Sequence, residues 1–161
     1  MSPALKRHTA RALQVVTVLI GLATLTFLLW EPHLEGRNVH ATPFEIYFHD
    51  PFLAYVYVGS TPFFLALHRA FGLFGHTAQT GAFSSATVTA LHGIRRCALT
   101  LLAFVAGSSV FIVLLGDQED RPAGFMLCLL GSIFAGALAA LAAVLARHLQ
   151  AKLDRPEGSG R

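Results

Sequence analysis

The chain has 161 residues, 54% hydrophobic and 13% charged, with 12 Lys and Arg against 9 Asp and Glu. Its basic residues are scattered rather than clustered on a soluble face, which excludes direct nucleic-acid binding. Two cysteines, Cys97 and Cys128, without a CxxC pair exclude a disulfide-relay enzyme.

Four apolar stretches organise the chain. A helix crossing the hydrocarbon core needs about 20 apolar residues. The first stretch runs over residues 12–30 and is uncharged. It follows a basic start, but it is too long for a signal-peptide core, and no small-x-small cleavage site follows Trp30. An uncleaved first helix is expected.

The next segment, residues 31–50, is an irregular loop with Pro32, Gly36 and Pro43. His33, His40 and His49 stand there among Glu31, Glu35, Glu45 and Asp50. Imidazole and carboxylate together can hold a divalent ion, so His33, His40, His49 and Asp50 are the candidate metal ligands. Their spacing matches no HExxH-type pattern, and solvated loop residues are the plainer reading. Phe44, Ile46 and Phe48 alternate with polar neighbours, which predicts a short extended segment. Trp30, Tyr47, Tyr55 and Tyr57 suit an interfacial aromatic belt.

The second span, residues 52–73, contains Gly59, Ser60, Thr61 and Pro62 in a row. Pro62 removes a backbone donor, so a kink is expected there. Gly75 to Gly81 reads as a turn. From Phe83 to Arg96 the pattern is amphipathic: Phe83, Ala86, Thr87, Ala90, Leu91 and Ile94 share a face, with Ser85, Thr89, His92 and Arg96 opposite. This predicts an interfacial helix on the cytoplasmic side, capped by Ser84 or Ser85 and favouring anionic headgroups.

The third span covers residues 97–115, and the fourth covers 123–146 with Pro122 in its first turn. Helices in lipid associate through small residues. Gly107 and Ala103 in the third span, and the ladders Ser132, Gly136, Ala140 and Ala135, Ala139, Ala143 in the fourth, are the expected packing positions. Such ladders also suit a homo-oligomer. The tail, residues 156–161, reads as disordered.

Charge orients the spans. Lys6, Arg7, Arg11, Arg69, Arg95, Arg96, Arg147, Lys152, Arg155 and Arg161 fall on one side; only Arg37 and Arg121 fall on the other. Basic residues stay cytoplasmic during insertion. The expected fold is therefore an all-α four-helix bundle in the bacterial cytoplasmic (inner) membrane, a single domain over residues 1–161, with both termini inside. No histidine lies mid-membrane to ligate haem, and no carboxylate lies in a span. These features point away from a cytochrome and from a proton-coupled exporter.

Three segments carry a family resemblance: DPFLAYVYVGSTPFFLALHRAFGL from Asp50, GAFSSATVTALHGIRRCA from Gly81, and the Pro-led last span ending in LARHLQAKLD. Together they resemble the four-helix bacterial membrane proteins grouped as domain of unknown function 2975. Members are often encoded beside a small helix-turn-helix regulator, so the resemblance implies such a soluble protein as a partner. Many members end in an acidic-polar run, where this chain has Arg155 to Arg161.

The functional expectation is a non-enzymatic accessory, regulatory or sensor component without a cofactor, anchored in the lipid bilayer. Ser85, His92, Arg95 and Arg96 are its candidate partner-binding residues. The alternative is an oligomeric transporter or channel component. A metal-dependent membrane enzyme or metal sensor using the outer His/Glu/Asp loop is third.

Overall fold

The computed structural model describes residues 3–30, 40–48, 51–80, 84–115 and 121–154. They form five helices: α1 (Pro3–Trp30), α2 (Pro43–Phe48), α3 (Pro51–Thr80), α4 (Ser85–Leu115) and α5 (Arg121–Leu153). Three of them, α1, α4 and α5, are long and apolar enough to cross a membrane. The 30-residue α3 matches them in length but carries Gly59, Ser60, Thr61, Pro62, His68 and Arg69.

The four long helices pack side by side in chain order: α1 on α3, α3 on α4, and α4 on α5. Each pair is antiparallel. Gly21 faces Leu67 while Tyr57 reaches Leu28; Gly59 faces Phe104 while Arg69 reaches Gly93; Gly124 faces Ile112 while Gly131 faces Val105. Among the described residues α1 packs extensively only against α3, so the bundle is an open row rather than a closed ring.

The α1 interface follows a heptad. Ala10, Gln14, Thr17, Gly21, Thr24 and Leu28 are buried or half-buried, and the described residues between them are exposed. Steps of four and three keep a seam facing one partner over many turns. The same rule corrects the ladder expected through Ser132, Gly136 and Ala140, and keeps Ala135 and Ala139 of the other. In α5 the buried residues are Ala135, Ala139, Ala142 and Ala146. Ala140 is exposed, Ser132 is half-buried, and a Cβ on Gly136 would meet nothing within 4 Å. A ladder of pure four-residue steps drifts off an antiparallel seam, whereas alternating four and three stays on it.

Three further expectations are revised. The segment after Pro43 is helical, because Thr42 and Glu45 form a capping box. The Thr42 backbone N–H donates to Glu45 Oε2 at 2.8 Å, and the Glu45 N–H donates to Thr42 Oγ1 at 3.4 Å. Phe44 and Phe48, one turn apart, then stack with ring centroids 4.9 Å apart. The turn expected at Gly75 is absent, since α3 runs through it to Thr80. Gly75 instead admits Gln14, whose Nε2 would lie 2.8 Å from a Cβ there and donates to the Phe71 carbonyl at 3.2 Å.

The amphipathic segment forms the first turns of α4 and runs into the third span without a break, as its pattern leads one to expect. Its residues Thr87, Leu91, Ile94 and Ala98 are buried. Part of the predicted apolar face is thus buried in the bundle, while Ala86 on it is exposed. Pro62 is buried within the unbroken α3.

Two of the three tyrosines expected in an interfacial belt, Tyr55 and Tyr57, turn inward; the Tyr47 side chain lies outside those described. Tyr55 OH donates to the Phe104 carbonyl of α4 at 2.9 Å, and Tyr57 OH donates to the Leu28 carbonyl of α1 at 2.7 Å. Gly107 makes room for Tyr55, since a Cβ there would collide with the hydroxyl. Phe52, Tyr55, Phe104 and Phe111 cluster around this contact, with Tyr55 centred 5.2 Å from Phe104 and 4.9 Å from Phe111.

Replacing Tyr55→Phe removes one interhelical hydrogen bond and is expected to cost about 0.6 kcal/mol. Gly107→Leu drives a side chain into the Tyr55 ring and is expected to cost about 2 kcal/mol. Unfolding in detergent micelles checks the order; a Tyr55→Phe loss equal to that of Gly107→Leu would show that the hydroxyl, not the close approach, sets stability.

Candidate functional site

One end of the row gathers most of the described cationic side chains. The uncharged stretch of α4, Cys97 to Leu115, spans about 29 Å at 1.5 Å per residue, close to a full hydrocarbon thickness. The stretch of α3 from Pro51 to His68 is of similar length. Arg69 and Arg96 each lie about one hydrocarbon length from the opposite end of its helix, and in the α3–α4 register Arg69 stands level with Gly93, about one turn from Arg96. By the antiparallel register, Arg11 and Arg147 lie about 10 Å further out.

Between α3 and α4 at this depth is an open cleft of about 380 Å³, lined by Arg69, Thr89, His92, Gly93 and Arg96. Each component has a local cause. Ser84 caps α4, with its Oγ accepting the Thr87 N–H at 3.2 Å, which sets the register of the first turns. Thr89, His92, Gly93 and Arg96 then recur at three- and four-residue spacing and share one face. Gly93 is buried, and Arg69 lies across it: a Cβ on Gly93 would sit 2.8 Å from Arg69 Cζ and 3.0 Å from Arg69 Cδ. The Thr89 hydroxyl donates to the Ser85 carbonyl at 3.0 Å.

Of the four residues expected to meet a partner, the structure brings His92 and Arg96 into the cleft. Ser85 is exposed at the start of α4, and Arg95 is half-buried beside the cleft. Arg69, Thr89 and Gly93 join the site. Arg69 was legible as a basic residue at a span end, but its pairing with residues of another helix depends on the α3–α4 register. Among the described residues, Arg69, His92, Arg95 and Arg96 form no ion pair.

Of the suggested metal ligands, His33, His49 and Asp50 lie outside the described residues, and His40 is exposed. Among the described residues no three His, Cys, Asp or Glu side chains converge. Cys97 and Cys128 are free and half-buried. The α4–α5 register sets Cys128 opposite Ser108, about 16 Å along the bundle from Cys97.

This is a helical membrane protein with a basic cleft at one end of its helices. Residues 41–152 match the family described as protein of unknown function (DUF2975). The chain is 31% identical over 152 residues to the uncharacterized membrane protein YoaS of Bacillus subtilis (strain 168), covering 93% of this chain and 94% of that protein. The chain belongs to the DUF2975 family. No solved structure matches it. The family match begins after α1 and contains the whole cleft.

Gly93→Ala is expected to change stability by less than about 1 kcal/mol, because the atoms it meets belong to a flexible side chain and alanine favours a helix. Arg69 must swing off α4 to accommodate it. Faster modification of Arg69 by an arginine-selective dicarbonyl, read by peptide mass spectrometry, checks the displacement.

Proposed function

We propose that this chain is a non-enzymatic component of the bacterial inner membrane, with both termini in the cytoplasm, that holds a soluble regulatory partner at its basic end. The observation that carries the reading is the contrast between the two kinds of exposed surface. Most of the exposed surface of α1 and α5 is large and apolar: Val15, Leu19, Leu22 and Phe27 on one, Leu127, Leu130, Ile133 and Leu141 on the other. Lipid is the natural solvent for it. The basic end instead presents Ser85, Arg69, Arg96, Arg147 and His148 to solvent.

The charge split over the whole chain supports a cytoplasmic placement of that end. Its sign favours a partner with an acidic surface. The small helix-turn-helix regulators encoded beside family members are the fitting class, and DNA would then be met by the partner alone.

In a cysteine-free background, His40→Cys should react with a membrane-impermeant maleimide in intact spheroplasts, and Ser85→Cys only after lysis. The opposite pattern overturns the orientation. Joint reversal of Arg95→Glu and Arg96→Glu should leave membrane insertion intact and abolish co-purification of the regulator. Undiminished capture by the double variant overturns the assigned surface.

A further inference from the structure

The cleft has a chemistry of its own. Arg69 and Arg96 come from different helices, stand within about one turn of each other, and border the same space as His92 and Thr89. Guanidinium groups bind phosphate through two parallel N–H donors, and two of them bordering one space suit a tetrahedral anion. The carboxylates among the described residues are Glu45 and Asp154, and neither lines the cleft. Gly93 forms the floor, so backbone and the Arg69 side chain approach where any other residue would fill the space.

Depth selects the source of the phosphate. Both arginines lie where an uncharged run of about one hydrocarbon thickness ends on its helix, which is the level of the headgroup phosphates. The cleft is open, so a headgroup can reach it.

We propose that the Arg69–His92–Arg96 cleft is a binding site for the phosphate of an anionic phospholipid headgroup. The proposal rests on the membrane placement above but needs no protein partner. Net negative charge matters, because the ammonium of a zwitterionic headgroup would be repelled by the same three cationic or ionisable side chains. A lipid seated there ties α3 to α4 at the point where Arg69 already crosses Gly93.

The test uses the full chain purified in a non-ionic detergent, with no partner present. Native mass spectrometry reads the apparent affinity for phosphatidylglycerol, with phosphatidylcholine and inorganic phosphate as the comparison ligands. Wild type should retain phosphatidylglycerol in preference to phosphatidylcholine. Arg96→Gln should weaken retention about fivefold, as expected for one basic residue at an anionic surface. Arg69→Gln with Arg96→Gln should weaken it by roughly the square of that factor if the two charges act independently.

Arg147→Gln, exposed on the same end but outside the cleft, should leave retention unchanged. Thermal unfolding without lipid confirms that each variant is folded, and the single exposed Arg96→Gln keeps the test open if the double variant is not. Retention of inorganic phosphate that Arg96→Gln weakens, without a preference for phosphatidylglycerol, would assign the site to a free anion and overturn the lipid proposal. Equal retention of phosphatidylcholine, or an Arg147→Gln effect as large as that of Arg96→Gln, overturns the proposal. Failure here with regulator capture intact would leave the tether reading standing; the reverse result would leave the lipid site standing.

Discussion

The structure depends on close approach of helices in a solvent that offers no hydrophobic drive between them. Lipid tails are as apolar as the side chains they touch, so contact must come from small residues and from directional bonds. The Tyr55 contact supplies both. Its hydroxyl reaches the Phe104 carbonyl only because Gly107 carries no side chain, and its ring completes a cluster with Phe104 and Phe111. Two residues on, Tyr57 points to the other side of α3 and binds the Leu28 carbonyl of α1. That opposition makes α3 the central helix of one half of the row, and it explains why the long helix that carries Ser60, Thr61, Pro62, His68 and Arg69 is flanked by protein on both sides.

The basic cleft follows from this arrangement. Once Tyr55 and Gly59 fix the α3–α4 register at one end, Arg69 must arrive over Gly93 at the other. Two cations then stand together at the hydrocarbon border without a described carboxylate beside them. A guanidinium in that position keeps its stem in apolar surroundings and its head at the polar boundary. Such a boundary site suits a headgroup phosphate, while the more distant Arg147 and Ser85 remain available to a soluble partner. The two proposals share Arg96 and differ in the residues around it.

Much of this was legible from single residues. The long helices came from apolar runs, and three of the four, α1, α4 and α5, are apolar enough to cross a membrane, whereas α3 over the second expected span is not among them. The extended segment after Pro43 was misread because alternating apolar residues over six positions do not distinguish a strand from a short helix. The capping pair Thr42 and Glu45 decides for the helix. Gly75 was misread as a turn because glycine signals both turns and close approach, and only the arrival of Gln14 distinguishes them. The ladder through Gly136 and Ala140 had the right residue types on a neighbouring face. Small residues crowd α5, and composition alone cannot say which set lies on the seam.

The amino-acid sequence by itself determined that the chain is helical, that its long helices belong in lipid, and that its basic residues collect at one end. Those properties depend on length, apolarity and charge, each a sum over local residues. The tertiary structure decided which faces meet, that the helices pack in a row, and that Arg69 shares a cleft with His92 and Arg96. These depend on register between helices far apart in the chain. Register is set by where a missing Cβ allows a neighbour to approach, a property of two surfaces together.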